Sequence, residues 1–244
     1  MNEEFYHSLL HGETEILYSM LLESVLNRVD AIHIPSFSPL TVNTVMGYVL
    51  RDHPEIVWTN GRWRGKAGAT SIVMPEYTLD EAGIQAFQKE TSIMEEILHE
   101  LSACAEVDRV RWVFDFLLQN VVYDLQAPHS QDAYGALVEG RAVCRGIAKA
   151  TQLLLRTCGL QAVIIDGQLC EEALHVWNIV SLSDGCYHLD VTMGYPMFSS
   201  LYTRRGLPYN TYAAFCVSDE TLCRTHRWDA GNFPIHCLND LIKH

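Results

Sequence analysis

The sequence lacks the features that mark several large classes of protein. Basic residues are in the minority, since 17 Lys and Arg stand against 30 Asp and Glu, a formal net charge of −13. Such a charge repels phosphate backbones and anionic lipids, so neither nucleic acid nor a membrane is an expected partner. No apolar run reaches the roughly 18 residues of a spanning helix, and the first residues do not follow the pattern of a secretory signal. We therefore expect a cytoplasmic protein.

The familiar metal and disulfide patterns are missing as well. Eight cysteines are spread over 244 residues without a Cys-x-x-Cys pair. A chain of this length can bury a sizeable core, so we expect the cysteines to be reduced and mostly buried. Ala103 stands where a His-Glu-x-x-His pattern starting at His99 would need its second histidine, and the spacing of the C-terminal Cys and His residues fits no common zinc pattern. The C-terminal group consists of Cys223, His226, His236 and Cys237. We expect no metal and no other cofactor.

Repeats and Pro/Gly/Ser-rich linkers are also absent, but the sequence changes character near residue 125. Before that point apolar residues recur every three or four positions, which predicts helices. The predicted helices cover 15–28, 40–51, 78–102 and 107–122, with short strands at 56–59 and 70–75 separated by Asn60-Gly61 and 65–68. We expect residues 1–122 to pack on a core formed by 123–244 and not to fold separately.

The second half has the order helix, strand, strand. The predicted helix 145–158 stops at Gly159, a residue suited to the left-handed position that closes a helix. A β-rich run at 161–166 follows, and the runs 174–182 and 186–192 alternate around Asp184-Gly185, which is typical of a tight hairpin. The pattern predicts an α+β fold with a helix packed on an antiparallel sheet.

Cys144 lies where a Gly-containing loop runs into the first turn of the predicted helix. Unpaired backbone N–H groups and the helix dipole at such a position favour a thiolate and can stabilise an oxyanion. They can pull a cysteine pKa from about 8.5 to roughly 3.5–7.5. The alternative is a small buried apolar residue at a helix start, which is common for a lone cysteine.

His175 and Asp190 lie on neighbouring predicted strands. If the Asp184-Gly185 turn sets the register, Asp190 opposes Ile179, on the same face as His175 but about 13 Å along the strand from it. Contact would then need a bulge, a longer loop or strong coiling. Taken alone, His175 is equally well a satisfied, half-buried histidine, and Asp190 a strand-end residue that bonds a loop.

The three residues together supply a nucleophile, a base and an acceptor that orients the imidazole. With their surroundings they resemble the transglutaminase-like superfamily over Tyr123 to about Met193. The matching segments are 134–137, 140–150, 153–159, 175–178 and 187–192, and the tail of the family is similar to 218–220 with His226. The resemblance implies a papain-related core preceded by the mainly helical region, and activity on peptide or glutamine-type amides through a thioester. Cys144 would be the nucleophile, His175 the base and then the acid, and Asp190 the orienting residue.

Two departures from the family concern the pocket. Ile147 stands where many relatives have an aromatic residue, and Phe114-Asp115 where many have His-Asp. A third concerns the oxyanion, since no Gln occurs between 132 and 143 to serve as the papain-type donor. Tyr134 and Gln131 are the candidates for that donor.

The remaining expectations concern binding. Tyr134 and Trp177 are the predicted substrate-binding residues, although strand alternation also fits Trp177 as a packing residue. The expected partner is a peptide or protein substrate, and the acidic charge favours a basic or Lys-bearing one. The alternative is a non-catalytic protein-binding module that keeps the fold, and peptide deglycosylation by the same fold is a third reading.

Overall fold

Helices dominate the first part of the chain, and the longest strands follow later. The computed structural model describes residues 3–66, 71–170, 173–231 and 233–241. The helices are α1 (Glu13–Leu26), α2 (Pro39–Asp52), α3 (Glu81–Glu100), α4 (Glu106–Asn120), α5 (Ala133–Leu137), α6 (Cys144–Thr157), α7 (Ser199–Arg204) and α8 (Asp219–Leu222). The strands are β1 (Ile32–Ile34), β2 (Thr59–Lys66), β3 (Ser71–Tyr77), β4 (Val122–Tyr123), β5 (Arg141–Ala142), β6 (Gln161–Leu169), β7 (Leu174–Leu182), β8 (Gly185–Leu189) and β9 (His226–Arg227).

The chain forms two compact units, one ending at Lys89 and the other starting at Glu90. In the first unit, α1 packs on α2, and an antiparallel sheet has the strand order β1-β3-β2. Apolar side chains of both helices form its core with Ile34, Ile56 and Val73. The buried Asp52 carboxylate accepts hydrogen bonds from the backbone N–H groups of Tyr6 and His7, which ties the N-terminal segment to α2.

The four helices predicted in the first half are confirmed to within a few residues, whereas the predicted strand at 56–59 is wrong in its position. Residues 56–58 form a loop in which Ile56 and Val57 are buried, and the strand begins at Thr59. The register of β2 against β3 shifts between Thr59 and Trp63, and Gly61 adopts a positive φ of 79°. Turn-type residues therefore form a bulge inside β2 rather than a boundary after it. In the second predicted strand, Thr70 lies outside the described residues.

The second unit holds an antiparallel sheet in the order β8-β7-β6-β9 with α6 packed on β6 and β7. The Asn178 amide on β7 donates to the carbonyl of Ala148 in α6 (3.0 Å), which joins the helix to the sheet. Gly159 closes α6 with a φ of 75°, as predicted. The α+β fold class is confirmed. The predicted division at residue 122 stays a prediction, while helix α4 lies in the second unit, where it packs on α6.

Candidate active site

Cys144 is the first residue of α6, and the preceding loop holds it in place. The Val143 N–H donates to the carbonyl of Ser130 (2.9 Å). A Cβ at Gly146 would lie 2.3 Å from the same carbonyl oxygen, so only glycine allows the loop this close to the helix start. Lys149 in α6 and Asp132 in the loop form a buried ion pair (2.6 Å). Removing either partner would leave the other as an unpaired buried charge. The side chain of Cys144 is half-buried and packs against Ala148, Ile164 and Val176.

The hairpin register brings Asp190 closer to His175 than predicted. Leu182 pairs with Gly185, so the turn residues are Ser183 and Asp184, and Ile179 pairs with His188 rather than with Asp190. The Ser183 N–H donates to the Glu106 carboxylate (2.7 Å), which fixes this turn. The two-residue shift keeps the predicted face and shortens the separation by about 7 Å.

His175 and Asp190 are in direct contact. The Nε2 atom of His175 lies 2.6 Å from Oδ2 of Asp190, and the two side chains are 3% and 1% exposed. An ionised carboxylate only accepts, so Nε2 carries a proton and Nδ1 is the ring nitrogen available to the thiol. The orienting carboxylate that the sequence predicts is thus bonded to the imidazole.

The thiol and imidazole shift each other's titration. Burial raises the pKa of the Cys144 thiol, but the hydrogen bond and charge of His175, with the N–H of Val176, lower it more, to below its ordinary value. Burial lowers the pKa of His175, but the charge and hydrogen bond of Asp190, with those of Cys144, raise it more, to about 10. This pair of shifts favours a thiolate beside an imidazolium.

Asp190 is also bonded by a second histidine. Its Oδ2 atom lies 3.0 Å from Nε2 of His226, and its Oδ1 atom accepts from the N–H of Met193 (3.2 Å). Burial raises the pKa of Asp190, but the two histidines lower it more, to well below its usual range. In the sequence, His226 belongs to the tail that is similar to the family and to the C-terminal Cys and His group whose spacing fits no common zinc pattern. Its pairing through β9 to Leu169 of β6 brings it here.

Tyr123 is a site residue that the sequence analysis missed. Strand β4 pairs in parallel with β5, which sets Tyr123 beside Ala142, two residues before the thiol. Its ring packs edge-on against Phe198 (5.3 Å) and near Tyr195 (6.3 Å). Burial and the Cys144 thiol, which the hydroxyl contacts, raise the pKa of Tyr123 to about 12, so the phenol keeps its proton. The sequence feature that could have indicated this residue is its position as the first residue of the segment that resembles the superfamily.

A second His–Asp pair lies in the same unit. Nε2 of His188 lies 2.9 Å from Asp219, and Nδ1 accepts from the indole N–H of Trp177 (3.0 Å). Burial lowers the pKa of His188 to about 4, against the raising effect of Asp219. Trp177 is 1% exposed, which favours the packing alternative over substrate contact.

Two histidine clusters combine ligand-type residues, and hydrogen bonds join the members of each cluster. In the part of the chain that the structure describes, two groups bring three ligand-type residues together. The groups are His175, Asp190 and His226, and His188, Asp219 and Cys237. In the first, both Nε2 atoms point their protons at one carboxylate oxygen. In the second, the Trp177 donor makes Nδ1 of His188 an acceptor, so Nε2 holds the proton and has no lone pair for a metal. Of the predicted C-terminal group, His226 is thus in the first cluster and Cys237 in the second.

The other predicted contacts lie around the loop. Tyr134 is half-buried, with its ring edge-on to His129 (5.0 Å), and Gln131 is exposed. Their roles as substrate contact and oxyanion donor stay predictions.

The expectation of mostly buried cysteines is wrong. Cys158, Cys216 and Cys237 are buried, Cys170 and Cys186 are half-buried, and Cys104 and Cys223 are exposed. Burial raises the pKa of the buried thiols, in Cys158 to about 11, whereas that of Cys144 is lowered. Cys144 therefore differs from the buried cysteines in its chemistry.

Comparison with known proteins gives distant similarities. Similar solved structures include a proposed cysteine protease from Cytophaga hutchinsonii (15% identity, TM-score 0.36, covering 54% of this chain and 61% of that one). They also include a TGase (15% identity, TM-score 0.34, covering 66% of this chain and 50% of that one). The chain thus spans less than two thirds of the length of either. No curated protein matches it.

Among the described residues, no helix is long and apolar enough to span a membrane. The family model of the transglutaminase-like superfamily matches residues 95–191, which include Cys144, His175 and Asp190. Residues 95–191, about two fifths of the chain, are therefore similar to the transglutaminase-like superfamily.

Proposed function

We propose that the protein is a cysteine-dependent enzyme that hydrolyses peptide or glutamine-type amides, or transfers their acyl groups, in the cytoplasm, where thiols stay reduced. The observation that carries the proposal is the 2.6 Å bond between His175 and Asp190 beside a thiol whose pKa is lowered by His175. A nucleophile, a base and an orienting carboxylate in contact are the parts that acyl transfer needs.

In the proposed reaction the Cys144 thiolate attacks the amide carbonyl, and the carbonyl electron pair moves to the oxygen. As the tetrahedral intermediate collapses, the C–N bond breaks and the leaving amine or ammonia takes the proton from His175. A thioester on Cys144 remains. Water or an amine then attacks it, gives a proton to His175, and releases the acid or the new amide with the thiolate restored.

The oxyanion is stabilised by donors at the helix start. The backbone N–H of Cys144 is one, as in other sites where a helix begins at the nucleophile. The Tyr123 hydroxyl is our choice for the second, because it contacts the thiol and stays protonated. Its oxygen accepts from the backbone N–H of Cys144 in the free protein, and in the proposed reaction the substrate oxygen replaces it as the acceptor. Tyr134 and Gln131 are the alternative donors. Of single substitutions at these three positions, we expect only Tyr123→Phe to slow acylation by p-nitrophenyl acetate while leaving the rate of iodoacetamide alkylation unchanged.

The binding-module alternative requires that the three residues have lost their mutual geometry. The described contacts of His175 with Asp190 and Cys144 favour the catalytic reading. Since function depends on site geometry rather than on the fold, the test must be chemical.

Iodoacetamide labelling at pH 6 tests the activated thiolate. An ordinary thiol is ionised there in only about one molecule in 300. We expect Cys144 to label at least about tenfold faster than Cys104 and Cys223, which are more exposed and serve as controls within the same chain. Mass spectrometry of the cysteine peptides measures each rate. Equal rates at the three cysteines would contradict the proposal.

Acyl-enzyme formation identifies the substrate class. Peptide and glutamine-donor libraries are incubated with the full chain and with the Cys144→Ala variant, and thioesters on Cys144 are detected by mass spectrometry. Adding a Lys-bearing peptide separates transfer from hydrolysis, and the net charge of −13 makes such a basic peptide the preferred acceptor. Loss of acylation in the variant is expected. Acylation that persists there would place the chemistry elsewhere.

A further inference from the structure

His226 is buried against the carboxylate that orients His175. Its side chain is fully buried, and its ring lies 5.4 Å from the ring of His175 and 4.9 Å from that of Trp177. Nε2 of His226 and Nε2 of His175 both approach the same oxygen, Oδ2 of Asp190, at 3.0 and 2.6 Å. One carboxylate oxygen thus lies within hydrogen-bond distance of two imidazoles.

The direction of each hydrogen bond follows from the chemistry of the groups. Burial lowers the pKa of His226, so its ring is neutral and carries one proton. Because the ionised Asp190 can only accept, that proton is on Nε2. Nδ1 then accepts from the hydroxyl of Thr225, which lies 2.8 Å away. The carbonyl of Leu222 is a second acceptor for the Thr225 hydroxyl, but at 3.3 Å it is farther away than Nδ1 of His226 at 2.8 Å. The shorter contact gives a chain of hydrogen bonds from Thr225 through His226 to Asp190.

We propose that His226 is a positioning residue that holds the Asp190 carboxylate through its Nε2–H and takes part of the charge of Oδ2 away from His175. The inference rests on the proposed function and deepens it. A histidine that serves as acid must release its proton to the leaving amine, and an undivided carboxylate charge would hold that proton too tightly. The Nε2–H of His226 weakens the attraction of the Asp190 carboxylate for the proton on His175, and it keeps Asp190 ionised without solvent.

The groups around His175 define what else could move its titration. Cys144 faces it from α6, Asp190 from the end of β8 and His226 from β9. Tyr202 of α7 interacts electrostatically with Asp190, and Tyr123 of β4 with Cys144. Cys144, Asp190, Tyr202 and Tyr123 are unchanged in the variants below, so a difference between the two His226 variants reports on His226.

The test measures the pKa of His175 by NMR of its imidazole Cε1–H in the full chain. His226→Phe removes the N–H donor and keeps a ring, and we expect the pKa of His175 to rise by about half a unit to one unit, the equivalent of one hydrogen bond. His226→Gln keeps an N–H donor and should leave that pKa at the wild-type value. His188→Phe, a matched loss of a buried histidine that does not bond Asp190, should also leave it unchanged. No shift in His226→Phe, or equal shifts in all three variants, would overturn the proposal.

A measurement on the wild-type chain covers the case in which a variant does not fold. The ring ¹⁵N shifts of His226 at neutral pH should show a protonated Nε2 and an unprotonated Nδ1, and the reverse tautomer would overturn the proposal.

The results also distinguish failure of the proposed function from failure of the role of His226. If the pKa of His175 is not raised in the wild type, the proposed function is wrong; if it is raised but indifferent to His226→Phe, only the role of His226 is wrong.

Discussion

Two His–Asp pairs in one unit share their geometry and differ in their chemistry. His175 bonds Asp190 at 2.6 Å and His188 bonds Asp219 at 2.9 Å, and both imidazoles are buried. Yet the pKa of His175 is raised to about 10, and that of His188 is lowered to about 4.

The carboxylates explain part of the difference. Asp190 is 1% exposed, so its charge acts on His175 through a poorly screening interior, whereas Asp219 is 34% exposed and is screened by water. The other ring nitrogen explains the rest. Nδ1 of His175 is left for a thiol, but Nδ1 of His188 faces the indole N–H of Trp177 and has no room for a second proton. A bonded carboxylate is therefore not enough to raise the pKa of a buried histidine.

Removing each carboxylate in turn gives the largest expected contrast. In Asp190→Asn the support for the imidazolium is lost, so the thiol of Cys144 returns toward its ordinary pKa and its alkylation by iodoacetamide at pH 6 should fall about 10²- to 10³-fold. The matched variant Asp219→Asn should stay within about threefold of the wild type. A similar fall in both variants would mean that the two pairs do not differ as described.

The two pairs should lose stability on opposite sides of neutral pH. The pKa of His188 lies at about 4 in the folded chain against 6.5 for a free histidine, so its contribution is complete above pH 6.5 and is lost as the pH falls to 4. The shift is equivalent to about 3 kcal/mol. The pKa of His175 is raised to about 10, so its contribution is complete below pH 6.5 and is lost as the pH rises through 10.

Denaturant unfolding of wild type, His188→Gln and His175→Gln at pH 4, 6.5 and 10 measures these losses. The wild type should lose more free energy of unfolding than His188→Gln between pH 6.5 and 4, and more than His175→Gln between pH 6.5 and 10. Parallel losses in wild type and variant would contradict the assigned titrations.

Trp177→Phe should have the smallest effect. It keeps an aromatic ring but removes the N–H that Nδ1 of His188 accepts, which leaves a buried acceptor unpaired at a cost of about 1–3 kcal/mol. The pKa of His188 should rise, because Nδ1 becomes free to take a proton, while alkylation of Cys144 stays unchanged. NMR titration of His188 and chemical denaturation measure the two effects. An unshifted His188 would show that burial alone sets its pKa.

Much of the second unit was predictable because local rules govern it. The start of α6 at Cys144, its end at Gly159 and the strands β6 to β8 follow from periodicity and turn residues, as observed. The hairpin register was missed by two residues, because an Asp-Gly pair is a strong local signal and the bond from Glu106 to Ser183 is a tertiary one. The bulge at Gly61 was missed for a similar reason, since pairing with β3 keeps turn-type residues within a strand.

The sequence by itself determined the chain order of Cys144, His175 and Asp190, the position of the thiol at a helix start, and the face shared by the other two. Only the tertiary structure decided which groups complete the site. Tyr123 reaches Cys144 through the pairing of β4 with β5, and His226 reaches Asp190 through the pairing of β9 with β6. These contacts join residues far apart in the chain, and no local propensity encodes a pairing that is selected by the packing of the whole sheet.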